Sequence, residues 1–286
     1  MSDSKPAPRP LEVPASIGEA RADGLRTLLA IVDRLRAPDG CPWDREQTLR
    51  SVAPHLIEEV HELVESIELG DDSHTIEEAG DLLMGLVLLA KIAEQSGSFD
   101  LARIAQAVNE KLIRRHPHVF GEVHARSADE ALANWDAIKR AERAEKQEDT
   151  SALAGIPVAL PALQRAQRMG AKALSAGFRW NDVRGALLKV REEVDELARE
   201  IEVAGLLDAR DAKASEEQVA RLEHELGDVL MATSFLGNYL KLEPERATRA
   251  ALRRFEQRFR AMELDLGRPF GECSLEQMMA AWQRAK

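Results

Sequence analysis

The sequence predicts an all-α protein made of two tandem, homologous helical-bundle domains. Three observations carry this. Apolar residues recur at helical spacing along most of the 286 residues, and convincing strand alternation appears nowhere. The composition is poor in turn and strand formers, with 17 Gly, 12 Pro, 7 Phe and a single Tyr. The chain also repeats itself. Glu58-Glu59-Val60-His61-Glu62 is followed by Glu78-Ala79-Gly80-Asp81-Leu82-Leu83-Met84. In the second half, Glu192-Glu193-Val194-Asp195-Glu196 is followed by Glu225-Leu226-Gly227-Asp228-Val229-Leu230-Met231.

The elements follow in order. Residues 1–20 hold Pro6, Pro8, Pro10 and Pro14 and read as a disordered tail. Residues 21–143 carry helical periodicity and form the first domain. Residues 144–160 are charged, then small and Pro-containing, which suits a linker. Helical patterning resumes over 161–286, the second domain. Its connector from Ala204 to Val219 is longer than the matching stretch of the first domain, and charged, so it reads as a loop or helix extension. The repeat continues past the acids. Lys111-Leu112 and Arg115 match Arg254-Phe255 and Arg258, and Ser127 with Trp135 matches Ser274 with Trp282. All four tryptophans fall within the repeat, Trp43 and Trp135 in one half and Trp180 and Trp282 in the other.

Composition removes several classes of function. Two cysteines, Cys41 and Cys273, exclude a disulfide scaffold or Cys-rich zinc module and read as ordinary thiols. No apolar run is long enough to span a membrane, and the N-terminus lacks a signal-peptide core, so a cytoplasmic protein is expected. With 39 Lys and Arg against 50 Asp and Glu, the net charge of −11 argues against nucleic acid as a partner.

The acids are the informative residues. On a helix, Leu56, Val60, Leu63 and Ile67 form a core stripe, and Glu59 and Glu62 share one flank of it, about 60° apart. Glu78 and Asp81 open a segment that is apolar all round to Ala90, which predicts a buried helix. Ionised carboxylates there need cations, hydrogen bonds or a metal. Acids also favour helix N-termini, but that accounts for one acid per helix rather than an i, i+3 pair in both halves. Four acids from two facing helices make an oxygen-only site whose natural occupant is Mg²⁺, with Mn²⁺ as a substitute. Zinc is less suited, because no His or Cys is seen at ligand spacing in the second half. Mg²⁺ held this way also binds substrate phosphates, which lets an acidic protein hold a polyphosphate. Lys189, three residues before Glu192, Arg254 and Arg258 at i, i+4, and Lys286, four after Trp282, are then candidate phosphate clamps. Trp282 either stacks a base or packs in the core.

These residues resemble the MazG nucleoside triphosphate pyrophosphohydrolases of the all-α NTP pyrophosphatase superfamily, in the two-domain bacterial form. Cys41-Pro42-Trp43-Asp44, Arg114-Arg115-His116-Pro117-His118-Val119-Phe120 and Leu160-Pro161-Ala162-Leu163 match as well. The resemblance spans about residues 25–286. It implies Mg²⁺-dependent hydrolysis of nucleoside triphosphates at the α–β linkage, giving monophosphate and pyrophosphate. It implies broad base tolerance, a house-cleaning role against non-canonical or damaged nucleotides, and a homodimer of helical bundles. It credits the second domain with the activity. Carried over, Glu193, Glu196, Glu225 and Asp228 are the Mg²⁺ ligands, and Glu192 orients or deprotonates the attacking water. Lys189, Arg254, Arg258, Trp282 and Lys286 match substrate-binding positions, and Arg168 and Arg221 stand where the family often has Lys. Glu59, Glu62, Glu78 and Asp81 form a second candidate metal site, with His55 in place of Lys189. A base-specific dUTP or dCTP pyrophosphatase of the same superfamily and a non-catalytic nucleotide-binding regulator are the alternatives.

Overall fold

A computed structural model describes residues 19–145, 149–207 and 213–285. The expected tail lies outside these residues apart from its last two positions, as do part of the expected linker, part of the Ala204–Val219 connector, and Lys286. The described residues are helical, with no strand, and divide into two compact units, Met1–Lys146 and Gln147–Lys286. The all-α expectation holds. No helix of the described residues is long and apolar enough to cross a membrane.

The first unit is built on a helical hairpin. Helix α1 is Glu19–Leu35, and α2 is the short Pro42–Glu46. Helices α3 (Leu49–Leu69) and α4 (Asp72–Gln95) follow. Thr48 and Ser51 close a reciprocal capping box that starts α3. Gly70, at φ 71°, ends α3 in the left-handed region, where a Cβ is penalised. Asp71 then caps α4 by accepting from His74 N at 3.1 Å. This one-glycine turn folds α4 back along α3. Val32, Val52, Val87, Leu88 and Ile92 form the core between α1, α3 and α4. Gly85 permits the close approach, since a Cβ there would stand 2.8 Å from Leu56 Cδ2.

One expectation is corrected here. Helix α4 is not buried all round. Leu83 and Leu86 are 44% and 46% exposed, because α1 and α3 cover only the faces that carry Val87, Leu88 and Ile92. The apolar ring of α4 is thus half satisfied within its own unit.

Helices α5 (Leu101–Arg115), α6 (Pro117–Phe120) and α7 (Ala128–Glu145) complete the unit. Their packing is looser, and no residue of the three is buried. The end of α5 is tied to α7 by ion pairs from Arg114 and Arg115 to Glu142.

The second unit repeats the plan with α8 (Ala162–Ser175), α9 (Val183–Val203), α10 (Glu216–Leu240), α11 (Pro244–Leu266) and α12 (Leu275–Arg284). Asp182 caps α9 and Ser215 caps α10. Arg221, early in α10, reaches Glu200, late in α9, at 3.0 Å, so the two helices run antiparallel. The buried positions here are mostly small: Gly170, Ala186, Ala232, Ser234, Gly237 and Ala281. Small residues let backbones approach closely. A Cβ on Gly170 would lie 2.6 Å from Asn238 Nδ2 and 3.0 Å from Phe235. As in the first unit, the helix after the second acidic pair stays open, with Leu230 and Met231 exposed.

Candidate metal and nucleotide site

In the second unit, α9 supplies Glu193 and Glu196 one turn apart, and α10 supplies Glu225. One carboxylate oxygen from each lies within 4.8 Å of the others. Glu193 is only 5% exposed, which is rare for a carboxylate and requires compensation. Lys189 provides it from one turn earlier on the same helix. Its Nζ is 2.8 Å from Glu193 Oε1 and 2.8 Å from Glu192 Oε1. Those hydrogen bonds, to Glu192 and then Glu193, hold the Lys189 ammonium well above its ordinary value.

Asp228, three residues beyond Glu225, stands outside this trio. Its Oδ2 is 3.5 Å from His224 Nε2. His224 stands at i, i+4 to Asp228, a relation readable in the sequence. It pairs with Asp228 and does not join the three carboxylates, so the donor set within the cluster is all oxygen. Such a set fits a hard divalent cation.

The first unit carries the corresponding group, with different membership. Glu59 from α3 and Glu78 and Asp81 from α4 cluster within 4.8 Å, and Glu62 is exposed outside them. His55 Nδ1 reaches Glu58 at 3.4 Å, repeating the Lys189–Glu192 pair with an imidazole in place of the ammonium. The Glu59 carboxyl is pushed up by burial and by its neighbours Asp81, Glu62, Glu78 and Glu58. Glu78 is pushed up by burial and Glu62, with His74 working against the shift. Both shifts describe carboxylates crowded together.

The basic residues separate into three groups. Arg221 bridges Glu200 at 3.0 Å and Glu217 at 2.9 Å, so it serves the α9–α10 pair. Arg168 and Arg254 are exposed on α8 and α11. Arg258 is different. Its Nε and Nη2 are buried without a hydrogen-bond partner among the described residues. Its guanidinium lies 4.2 Å from the centroid of the Trp282 ring. Trp282 also meets Phe255 at 5.3 Å, and Phe255 and Phe270 both meet Phe259, so the indole belongs to an aromatic cluster with one face taken by Arg258. A cavity of about 240 Å³ lies between α8, the Gly177–Trp180 loop and α10, walled by Trp180, Phe235 and Tyr239. The Tyr239 hydroxyl closes it by accepting from Trp180 N at 2.8 Å.

The fold and this geometry define a class: an all-α protein in which a helical hairpin, used twice, presents a cluster of carboxylates ready for a hard cation. The family model described as the MazG nucleotide pyrophosphohydrolase domain matches it twice, over residues 47–120 and 184–261. The chain belongs to the MazG nucleotide pyrophosphohydrolase family. It is 40% identical over 263 residues to a nucleoside triphosphate pyrophosphohydrolase of Escherichia coli K12, covering 91% of this chain and 95% of that one. It is 38% identical over 262 residues to the nucleoside triphosphate pyrophosphohydrolase/pyrophosphatase MazG of Thermotoga maritima, covering 91% and 94%. A crystal structure of a mazG-related protein from Thermotoga maritima aligns with 40% of this chain and 98% of its own, at 30% identity and a TM-score of 0.36. Both family matches include the acidic clusters and the arginines Arg115 and Arg258, and both stop short of Trp135 and Trp282.

Proposed function

We propose that this chain hydrolyses nucleoside triphosphates between the α and β phosphorus atoms, releasing monophosphate and pyrophosphate, with Mg²⁺ held in the second unit. It is an enzyme of the nucleoside triphosphate pyrophosphohydrolase kind, as its family membership states. The observation that carries the reading is the cluster of Glu193, Glu196 and Glu225, in a unit that also holds Arg258 with Nε and Nη2 free of hydrogen bonds among the described residues. Asp228 completes the cation set from one turn further along α10. Mg²⁺ bound there supplies neutralisation of phosphate oxygens and makes a water more acidic.

The protein's own groups do the rest. Glu193, Glu196, Glu225 and Asp228 would hold the cation, and Lys189, now bound to Glu192 and Glu193, would be the ammonium nearest them to meet a phosphate oxygen. Glu192, exposed and joined to Lys189, orients the attacking water and accepts its proton. Arg258 offers buried donors to the leaving pyrophosphate, and charge-assisted bonds of this kind are strongest where water is excluded. Arg254 and Arg168 add cationic charge from exposed positions, and Lys286 is a further candidate outside the described residues. Broad base tolerance and a house-cleaning role against damaged nucleotides belong to the same proposal. So does a homodimer, with Mn²⁺ as a substitute metal and a cytoplasmic location. The exposed Leu83 and Leu86 of α4 and Leu226 and Leu230 of α10 favour a partner copy over water.

Product analysis tests the reading. Incubation with a deoxynucleoside triphosphate and Mg²⁺ yields pyrophosphate and monophosphate; orthophosphate with a diphosphate overturns it. Glu196→Ala or Asp228→Ala abolishes turnover in a protein that stays helical. If Glu62→Ala and Asp81→Ala abolish it instead, the first unit is the active one. A panel of normal and oxidised nucleotides reads base tolerance directly.

A further inference from the structure

The cavity between α8, the Gly177–Trp180 loop and α10 lies apart from the carboxylate cluster. Phe235, one of its walls, stands two turns beyond Asp228 on α10, about 10 Å along the axis. No acid lines it, so a ligand held there has no use for a metal. The one charged residue that lines it, among the described residues, is Arg179. Arg179 is exposed and makes no hydrogen bond or ion pair among those residues. In a chain of net charge −11, it is a cation with no carboxylate of its own unit on it.

The walls are built to keep their shape. Trp180, Phe235 and Tyr239 are half-buried, and the Trp180 and Tyr239 rings stand 6.2 Å apart at 55°. The Tyr239 hydroxyl grips the Trp180 main chain twice, accepting from its N at 2.8 Å and donating to its O at 3.2 Å. A Cβ on Gly185 would stand 2.8 Å from Trp180 Cβ, so α9 packs directly against the indole. Gly177, at φ 95°, lets the loop turn into this position. On α8, Gly170 keeps the floor open, since a Cβ there would meet Phe235 at 3.0 Å. At the mouth, Phe178 leaves an apolar ring 76% exposed.

We infer that this cavity takes the base of a nucleoside monophosphate, with the phosphate on Arg179 and no metal. Size, shape and charge select this ligand. The volume of about 240 Å³ exceeds the roughly 150 Å³ that admits a benzene ring and falls below the roughly 300–1,000 Å³ of pockets for larger ligands, so it has room for a base of one or two rings. Every base has a flat face that stacks on aromatic side chains, whatever groups its edge carries. One guanidinium forks onto one phosphate. A triphosphate carries more charge than a lone arginine meets, and the carboxylate cluster meets that charge with a cation. The monophosphate is the product of the proposed reaction, so the choice of ligand rests on that reading. The cavity then retains product in the same unit that makes it.

The test titrates the full chain with AMP or CMP in EDTA, read by calorimetry and tryptophan fluorescence. One monophosphate binds per chain and quenches the fluorescence, and the quenching is lost in Trp180→Phe. Quenching that survives in Trp180→Phe overturns the location. Arg179→Ala, at an exposed position that folding does not depend on, weakens the monophosphate roughly tenfold or more and leaves the free nucleoside unchanged. Equal weakening of both, or of neither, overturns the role of Arg179. Initial rates of pyrophosphate release with Mg²⁺ and a triphosphate are the same in Arg179→Ala and the wild type. A fall in those rates assigns the cavity to the triphosphate and overturns the inference. No saturable binding in EDTA, beside pyrophosphate release with Mg²⁺, overturns the inference and leaves the proposed function standing. Binding in EDTA without pyrophosphate release overturns the proposed function and leaves the cavity as a monophosphate site.

Discussion

Lys189 Nζ stands 2.8 Å from the buried carboxylate of Glu193 and 2.8 Å from the exposed one of Glu192. The same cation thus neutralises the most buried acid of the cluster and holds the acid best placed to meet water. In the proposed reading a divalent ion between Glu193, Glu196 and Glu225 would compete with Lys189 for Glu193, which would link the metal to this cation.

That linkage predicts the behaviour of Lys189→Met. Without the ammonium, Glu193 is buried beside two other carboxylates and nothing offsets it. The metal-free variant loses on the order of 1–3 kcal/mol of stability. Mg²⁺ restores it by binding the folded state alone. Thermal melts with and without Mg²⁺ show a larger metal-induced rise in Tm for the variant than for the wild type. Equal rises would show that Lys189 and the metal do not share Glu193.

Arg258→Met separates binding from folding. The buried Nε and Nη2 make no hydrogen bond that folding depends on, so stability changes by about 1 kcal/mol or less once the lost contact with Trp282 is counted. KM for the triphosphate rises roughly tenfold or more, about 1.4 kcal/mol of lost binding. Steady-state kinetics beside a urea melt decide it. A destabilised variant with unchanged KM would assign Arg258 to the core alone.

Glu142 sets a pH dependence in the first unit. Its carboxyl is lowered from 4.5 to about 2, chiefly by the hydrogen bond from Arg115, so the folded state favours the ionised form. Stability from this group is fully present above the unfolded value near 4.5 and is lost as pH falls through about 2. Glu142→Gln therefore lowers stability at pH 7 by on the order of 1–3 kcal/mol, discounted for partial solvent access. The gap between variant and wild type closes as melts are taken down towards pH 2. A gap that is constant with pH would remove the ion pair as its cause.

Gly170 tests the close packing of α8 on α10. Gly170→Ala brings a Cβ to 2.6 Å from Asn238 Nδ2 and 3.0 Å from Phe235. Asn238 Nδ2 meanwhile donates to Gln167 O at 3.2 Å, so it is not free to retreat. The gain in helix propensity, about 1 kcal/mol, is outweighed by overpacking of about 1–3 kcal/mol. Denaturant unfolding shows a net loss. A stabilised variant would mean that the helices can move apart at no cost.

Much of this was legible in the chain before folding. Helical periodicity placed the hairpins, and the i, i+3 acids placed carboxylates on facing helices in both halves. Other features were not legible. The periodicity of α4 reads as burial on every side, yet periodicity does not say which side has a neighbour, and Leu83 and Leu86 stay nearly half exposed. All four acids of each set read alike as ligands. The trio formed by Glu193, Glu196 and Glu225 leaves out Asp228, whereas Glu59, Glu78 and Asp81 leave out Glu62. That difference depends on how one helix is rotated against the other, which no local pattern encodes.

By itself, the sequence determined the helices, their repetition, and the acids and bases they carry, because these follow from spacing along a single element. Only the tertiary structure decided which charges meet. Lys189 and Glu193 are a turn apart, but the burial that makes the pair matter comes from neighbouring helices. Arg115 and Glu142 are 27 residues apart on different helices, and only packing brings them together. Coulombic pairing falls off over a few ångströms, so which charges pair is decided by the helix packing that brings them within reach.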